Sequence, residues 1–395
     1  MGFAALTSRD VRSRTRRTCL WEVVLAGGLA QRVFHGGHGW VFLQYLLGFR
    51  RLGWRVTFLD QLSPELVHGS GGTLQAHQLA FARLLSDWDL GADAYLAGDG
   101  ATSVGLTRSQ AVERVRRADL VVNVMGFLTD AELLGAARRR LFLDIDPGFG
   151  QMWRELGQAD VLEGHDVYVT IGGNMGAAGC ALPSCGVEWL TMTPPVVLDH
   201  WPVVSGGRAF TSVATWRGPF DPVEYEGQRY GLRVHEFRRL VDLPRHSDPA
   251  FELVLDIDPA DDADRRCLTR AGWSLVDPAT VADPRAYRSY IQRSRAEVCV
   301  AKGMYVDTRS GWISDRSVCY LSSGKPVLAQ DTGFTRMLPA GEGLLAFTDL
   351  DDAVAGVEEI ERDYERHARA ARAIAERHFD SDRVLGDLLA RLELA

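Results

Sequence analysis

Two hydrophobic periods take turns along the first half of the chain. Apolar runs of six or seven residues recur at 19–25, 54–59, 118–124, 140–146 and 165–171. Each closes on glycine or a carboxylate: Ala26-Gly27-Gly28, Asp60, Met125-Gly126, Asp146 before Pro147-Gly148, and Gly172-Gly173-Asn174. Between them, apolar residues at three- and four-residue spacing predict helices over 40–52, stopped by Gly53, over 73–86 and over roughly 129–138. Short apolar strands separated by such helices describe a parallel sheet covered on both faces, a doubly wound α/β fold. Ligands of these sheets gather at the carboxyl ends of the strands, which brings Gly27-Gly28, Asp144-Ile145-Asp146 and Gly172-Gly173-Asn174 toward one cleft.

The pattern breaks at Thr193-Pro194-Pro195 and stays rich in breakers through Trp201-Pro202 to Gly206-Gly207. It then restarts, with strands at 209–215 (ending in Trp216-Arg217-Gly218), 251–256 and 297–301, and a mostly helical tail over 351–394. The division expected is a basic flexible tail at 1–18, a first Rossmann-like domain at 19–195, a linker at 196–207, a second Rossmann-like domain at 208–375 and a terminal helix at 376–395. The stretch 305–334 is the densest in signals. It reads as a strand end, a polar loop Thr308-Arg309-Ser310-Gly311, a short helix capped by Ser314, a Gly324-Lys325-Pro326 corner, a buried strand at 327–329 and the acidic loop Asp331-Thr332-Gly333-Phe334. Free backbone N–H groups, hydroxyls and a guanidinium at one helix start form a seat for a diphosphate.

A length of 395 residues suits two domains, and 46% hydrophobic with 24% charged residues is ordinary for a soluble enzyme. The net charge of −8 argues against a nucleic-acid partner, and no apolar run is long enough to span a bilayer. Six cysteines without a Cys-x-x-Cys pair fit reduced thiols and a cytoplasmic location. The basic stretch 9–17 reads as a solvated tail. Lys302 and Lys325 are the only lysines, which together with abundant Ala, Gly and Arg suggests a GC-rich, actinomycete-like source.

The 305–334 stretch resembles the donor-binding segment of GT-B glycosyltransferases, of the group-1 and CgeB-like bacterial secondary-metabolite type: a Gly-containing loop, a helix, a small-small-Gly-x-Pro turn, a strand and a polar loop. Two features depart from that pattern. The Glu-x-Phe-Gly-Leu-x-x-x-Glu motif is absent, and Val318 or Cys319 stands where many members carry a ribose-binding Glu. The resemblance implies two Rossmann-like domains facing a cleft, with the terminal helix crossing back to the first domain. It also implies a metal-independent transfer from a nucleoside-diphosphate sugar, which acts as co-substrate with no resident cofactor, to a small, natural-product acceptor, in the setting of antibiotic biosynthesis. A homodimer is left open.

Candidate residues follow. His38, in the loop His35-Gly36-Gly37-His38-Gly39-Trp40, has a neutral-range pKa suited to deprotonating an acceptor, against the plainer reading of a helix-start loop. Asp146 is a second candidate base or a helix cap. Gly36, Gly37, Trp40 and Asn174 are candidates for acceptor contacts. Donor candidates are Arg217, Lys302, Thr308, Arg309, Ser310, Gly311, Arg316 and Asp331, with Asp331 equally readable as a turn residue. Asp144-Ile145-Asp146 looks like an Asp-x-Asp metal motif, but the resemblance implies that helix N-termini and cationic side chains stabilise the leaving diphosphate, so no metal is expected. A sugar-nucleotide epimerase on the same fold and a non-catalytic sugar-binding subunit are the alternatives. A nicotinamide-dependent enzyme lacks its Gly-x-Gly-x-x-Gly turn.

Overall fold

The computed structural model describes residues 20–67, 72–98 and 104–394; the tail at 1–18 and Cys19 lie outside them. The first domain holds β1 (Glu22–Gly27), β2 (Arg55–Gln61), β3 (Ala94–Ala97), β4 (Val104–Gly105), β5 (Leu120–Val124), β6 (Arg140–Asp144), β7 (Val167–Thr170) and β8 (Trp189–Thr191). They form one sheet of order β4-β3-β2-β1-β5-β6-β7-β8, parallel except for β4. The second domain contributes β9 (Ala209–Thr215), the hairpin β10 (Val223–Tyr225) and β11 (Gln228–Tyr230), then β12 (Ala250–Asp256), β13 (Trp273–Val276), β14 (Ala296–Cys299), β15 (Val327–Gln330) and β16 (Leu344–Phe347). Its all-parallel sheet runs β13-β12-β9-β14-β15-β16. In both sheets the chain winds outward from the first strand and then reverses past it, leaving a topological switch point where ligands bind.

The helix Gly36–Arg51 joins the two halves. Its sequence is apolar nearly all round, and a helix of that kind must be covered on every side. It lies on the first sheet, against the second-domain helix Pro284–Arg293 and against the terminal helix Ser381–Arg391. Gly36 abuts the backbone of Val281 and Asp283, and Gly48 abuts Ser381 and Leu385. Trp40 donates its indole N–H to the Pro284 carbonyl at 2.7 Å. The terminal helix is tied to the first domain by Arg51–Asp382 at 2.9 Å and by Arg391 on the Thr191 carbonyl at 2.8 Å.

The long apolar strands stand within three residues of their expected positions. Three differences matter. The helix expected from Trp40 begins four residues earlier, so His38 lies inside its first turn. The segment around Tyr305, expected as a strand end, is a helix, Gly303–Asp307, because β14 ends at Cys299 and Lys302 already stands in the helix-cap position. Ser314 does cap Asp315–Ser322, accepting from the Arg316 N–H at 3.2 Å, and Gly324 closes it at φ +70°. Among the described residues no helix is long and apolar enough to cross a membrane.

Candidate active site

The loop after β1 and the carboxyl ends of β9 and β12 enclose a cavity of about 550 Å³ between the two domains. One wall is Arg32 and the segment His35–His38. The other is Thr215, Arg233, Asp256 and the helix start Ser314–Arg316. Three arginines against two aspartates give this cavity a positive balance in a chain of net charge −8.

The arginines differ in how they are held. Arg316 reaches under the cavity floor. It pairs with the buried Glu297 and donates to the Val213 carbonyl at 2.6 Å. Arg233, at the start of the helix Arg233–Arg239, donates from Nε to the Val300 carbonyl at 3.1 Å and from Nη1 to the Thr215 carbonyl at 3.2 Å. These two carbonyls lie beyond β14 and at the end of β9. Arg233 Nη2 has no partner, and no carboxylate pairs with this guanidinium among the described residues. Burial, reinforced by Arg316 nearby, pulls the Arg233 pKa below its ordinary value. A negative charge is what such a group lacks. Arg32 also lines the cavity without a side-chain partner among the described residues.

His38 is half-buried, and its Nε2 lies 2.9 Å from the Gly28 carbonyl oxygen. A carbonyl only accepts, so Nε2 carries the hydrogen and Nδ1 keeps the lone pair. Burial lowers the His38 pKa to about 4, with Arg32 and His35 acting in the same direction. Asp315 moves the other way: burial, aided by Asp146, pushes its carboxyl up to about 7. Asp60, beneath the Gly28–Arg32 turn, is pushed up to about 8 by burial.

The remaining sequence candidates are dispersed. Asp146 accepts from Lys302 Nζ at 2.6 Å and from the Tyr305 hydroxyl, so both of its oxygens are engaged across the domain boundary. Asp144 is buried and accepts from Gln151 at 2.7 Å and Thr170 at 2.8 Å, which fixes the loop after β6 and leaves the two carboxylates unconverged. Arg217 forms a pair with Asp261 at 2.7 Å on the outer surface, away from the cavity. The Thr308 hydroxyl bonds back to the Met304 carbonyl at 2.6 Å and that of Ser310 to Tyr305 at 3.3 Å, while the Gly311 N–H donates to Thr332 at 2.8 Å. That loop therefore has its donors spent, and Arg309 projects outward.

Asn174, expected near an acceptor, donates to the Arg309 carbonyl at 2.9 Å and the Gly333 carbonyl at 3.0 Å, as an interdomain strut. Asp331 accepts from the Gly333 N–H at 2.8 Å and the Thr335 hydroxyl at 3.1 Å, which is the turn role. Trp40 is core, packed on Trp201 and Trp88. Gly36 and Gly37 line the cavity, but their missing side chains make room for the second domain: a Cβ on Gly37 would stand 2.8 Å from the Tyr287 ring. Arg32, Arg233 and Asp315 were not singled out as site residues from sequence. The usable signals were Arg32 between two glycine clusters and Arg233 at a helix start after Gly231.

No family model and no curated protein matches the chain. Solved structures do match it over nearly their whole length. An alpha-glucosyltransferase in complex with UDP is 11% identical at a TM-score of 0.59, over 94% of this chain and 99% of that one. Anabaena HepE in complex with UDP is 12% identical at 0.56, over 95% and 100%. Sucrose-phosphate synthase from Thermosynechococcus elongatus is 11% identical at 0.55, over 94% and 99%. With two parallel sheets of Rossmann type facing a cleft, the chain has the GT-B fold.

Proposed function

We propose that the protein is a glycosyltransferase that moves a sugar from a nucleoside-diphosphate donor to a small acceptor. The observation that carries this reading is the cavity at the switch points, with Arg233 held there by two carbonyls and lacking a carboxylate. UDP is named with two of the similar structures, which makes UDP-sugars the first donors to test. The diphosphate would sit between Arg32, Arg233 and Arg316 at the free N–H groups before Asp315–Ser322. Guanidinium groups and a helix N-terminus stabilise the charge that develops as the sugar–phosphate bond breaks, so the reading does not call on a metal. The acceptor hydroxyl would lose its proton to His38 Nδ1 as its oxygen bonds the anomeric carbon. The net charge of −8 favours a small acceptor over a nucleic acid, although one similar structure is of an enzyme with DNA.

The test is a thermal-shift and calorimetric series with UDP, TDP, GDP and ADP, followed by transfer assays. One of these nucleotides is expected to raise the melting midpoint, and Arg233→Met to weaken it by about 10–100-fold, the worth of a charge-assisted hydrogen bond. If no nucleotide shifts the midpoint, the reading fails.

A further inference from the structure

One buried carboxylate has no part in the chemistry above. Asp60, near the end of β2, is 2% exposed and has no cation partner among the described residues. Its Oδ2 accepts the Ala30 N–H at 2.7 Å and its Oδ1 the Gln61 N–H at 2.7 Å. Burying a carboxyl without a counter-charge is costly, so its backbone bonds must serve geometry. The Ala30 carbonyl in turn accepts from His77 Nδ1 at 2.7 Å. Ala30 is thus pinned from both sides, and it opens the one-turn 3₁₀ helix Ala30–Arg32.

That turn presents two things to the cavity. Two residues before Ala30, the Gly28 carbonyl holds His38 Nε2 at 2.9 Å. Two residues after it, Arg32 lines the wall. The turn is also closed by its own backbone: the Arg32 N–H bonds the Leu29 carbonyl at 3.1 Å.

We propose that Asp60 is a positioning residue. By anchoring Ala30 it holds the Gly28 carbonyl where that carbonyl fixes His38 in the Nε2–H tautomer, and it holds Arg32 in the cavity wall. This rests on the reading that His38 and Arg32 serve transfer, but the tautomer itself can be observed without turnover.

The experiment uses the full chain with ¹⁵N-labelled histidine, His38 being assigned by the signals lost in His38→Gln. The wild type is expected to show His38 as neutral Nε2–H imidazole at neutral pH. Asp60→Asn keeps the shape but turns an amide N–H₂ toward one of the two backbone N–H groups. It is expected to give a mixed tautomer pattern and to lower kcat by about 10–100-fold, the usual cost of a small misplacement, with a smaller change in KM. Asp60→Ala should do more; if it does not fold, the Asn variant decides alone. An unchanged ¹⁵N pattern in folded Asp60→Asn overturns the proposal, and so does a changed pattern with wild-type kcat. A wild type that transfers no sugar sinks the transferase reading on its own, and the ¹⁵N pattern still decides whether Asp60 sets the tautomer.

Discussion

His38 enters its helix half-buried, with Nε2 committed to the Gly28 carbonyl, and those two facts set its acid–base behaviour. Burial, with Arg32 beside it, disfavours the imidazolium and lowers the pKa to about 4. The sign follows directly. The ring stays neutral as pH falls through the ordinary histidine range near 6.5 and takes its proton only lower down. If His38 accepts the acceptor's proton, kcat/KM should show no acid limb above about pH 5.5, while Asp315, pushed up to about 7 in the same cavity wall, adds a fall toward alkaline pH because its anion repels a diphosphate. A bound diphosphate near Arg32 opposes the Arg32 effect, so the limb in kcat should lie at higher pH than the limb in kcat/KM. A pH–rate profile with an acid kcat/KM limb near 6.5 would remove His38 from that role. The arginines show why residue roles were only partly legible. Arg217, Arg32 and Arg233 all follow strands or glycine loops in sequence. Only Arg217 finds a nearby carboxylate, Asp261, and that difference arises from tertiary packing.

The helix Gly36–Arg51 shows the same limit one level up. Gly36-Gly37-His38-Gly39 reads as a loop because glycine is a poor helix former. It is helical here because side chains at those positions would collide with the second domain: Gly36 with the Asp283 and Val281 carbonyls, Gly39 with Pro284. Close approach outweighs propensity, and a sequence carries no direct mark of a contact more than 200 residues away. Gly36→Ala is therefore expected to destabilise the protein by about 1–3 kcal/mol, the usual range for overpacking, even though alanine is the better helix former. Urea unfolding would show it; a variant at or above wild-type stability would mean that the interdomain contact gives way. Strands were legible where continuous apolar runs made them so, as at β1, β5 and β9. Ala94–Ala97, Trp273–Val276 and Leu344–Phe347 have four residues each and stand toward the sheet margins, where too few apolar positions accumulate to signal a strand.

At the scale of the molecule, the two domains are held together beside the cavity by a clasp. Asp146 of the first domain takes Lys302 and Tyr305 of the second, and Lys302 Nζ also lies 4.9 Å from the Phe149 ring centre and 5.9 Å from that of Phe220. Burial lowers the Lys302 pKa and Asp146 raises it, so the pairing is what keeps the charge in place. With side-chain exposures of 12% and 23%, the pair is sheltered enough for its loss to register. Lys302→Met keeps most of the stem's packing and removes the charge, leaving Asp146 with Tyr305 alone. The expected cost is about 1–3 kcal/mol in urea unfolding, the penalty for stranding one partner of a sheltered pair. If the clasp sets closure, the variant should also have a larger radius of gyration by small-angle scattering without nucleotide and recover compactness when a bound nucleotide bridges Arg32 to Arg233 and Arg316. An open cleft admits water, so hydrolysis of the donor should rise relative to transfer. A variant that is less stable but equally compact, with unchanged partition between water and acceptor, would place the clasp in folding alone and leave closure to the Gly36–Arg51 helix contacts.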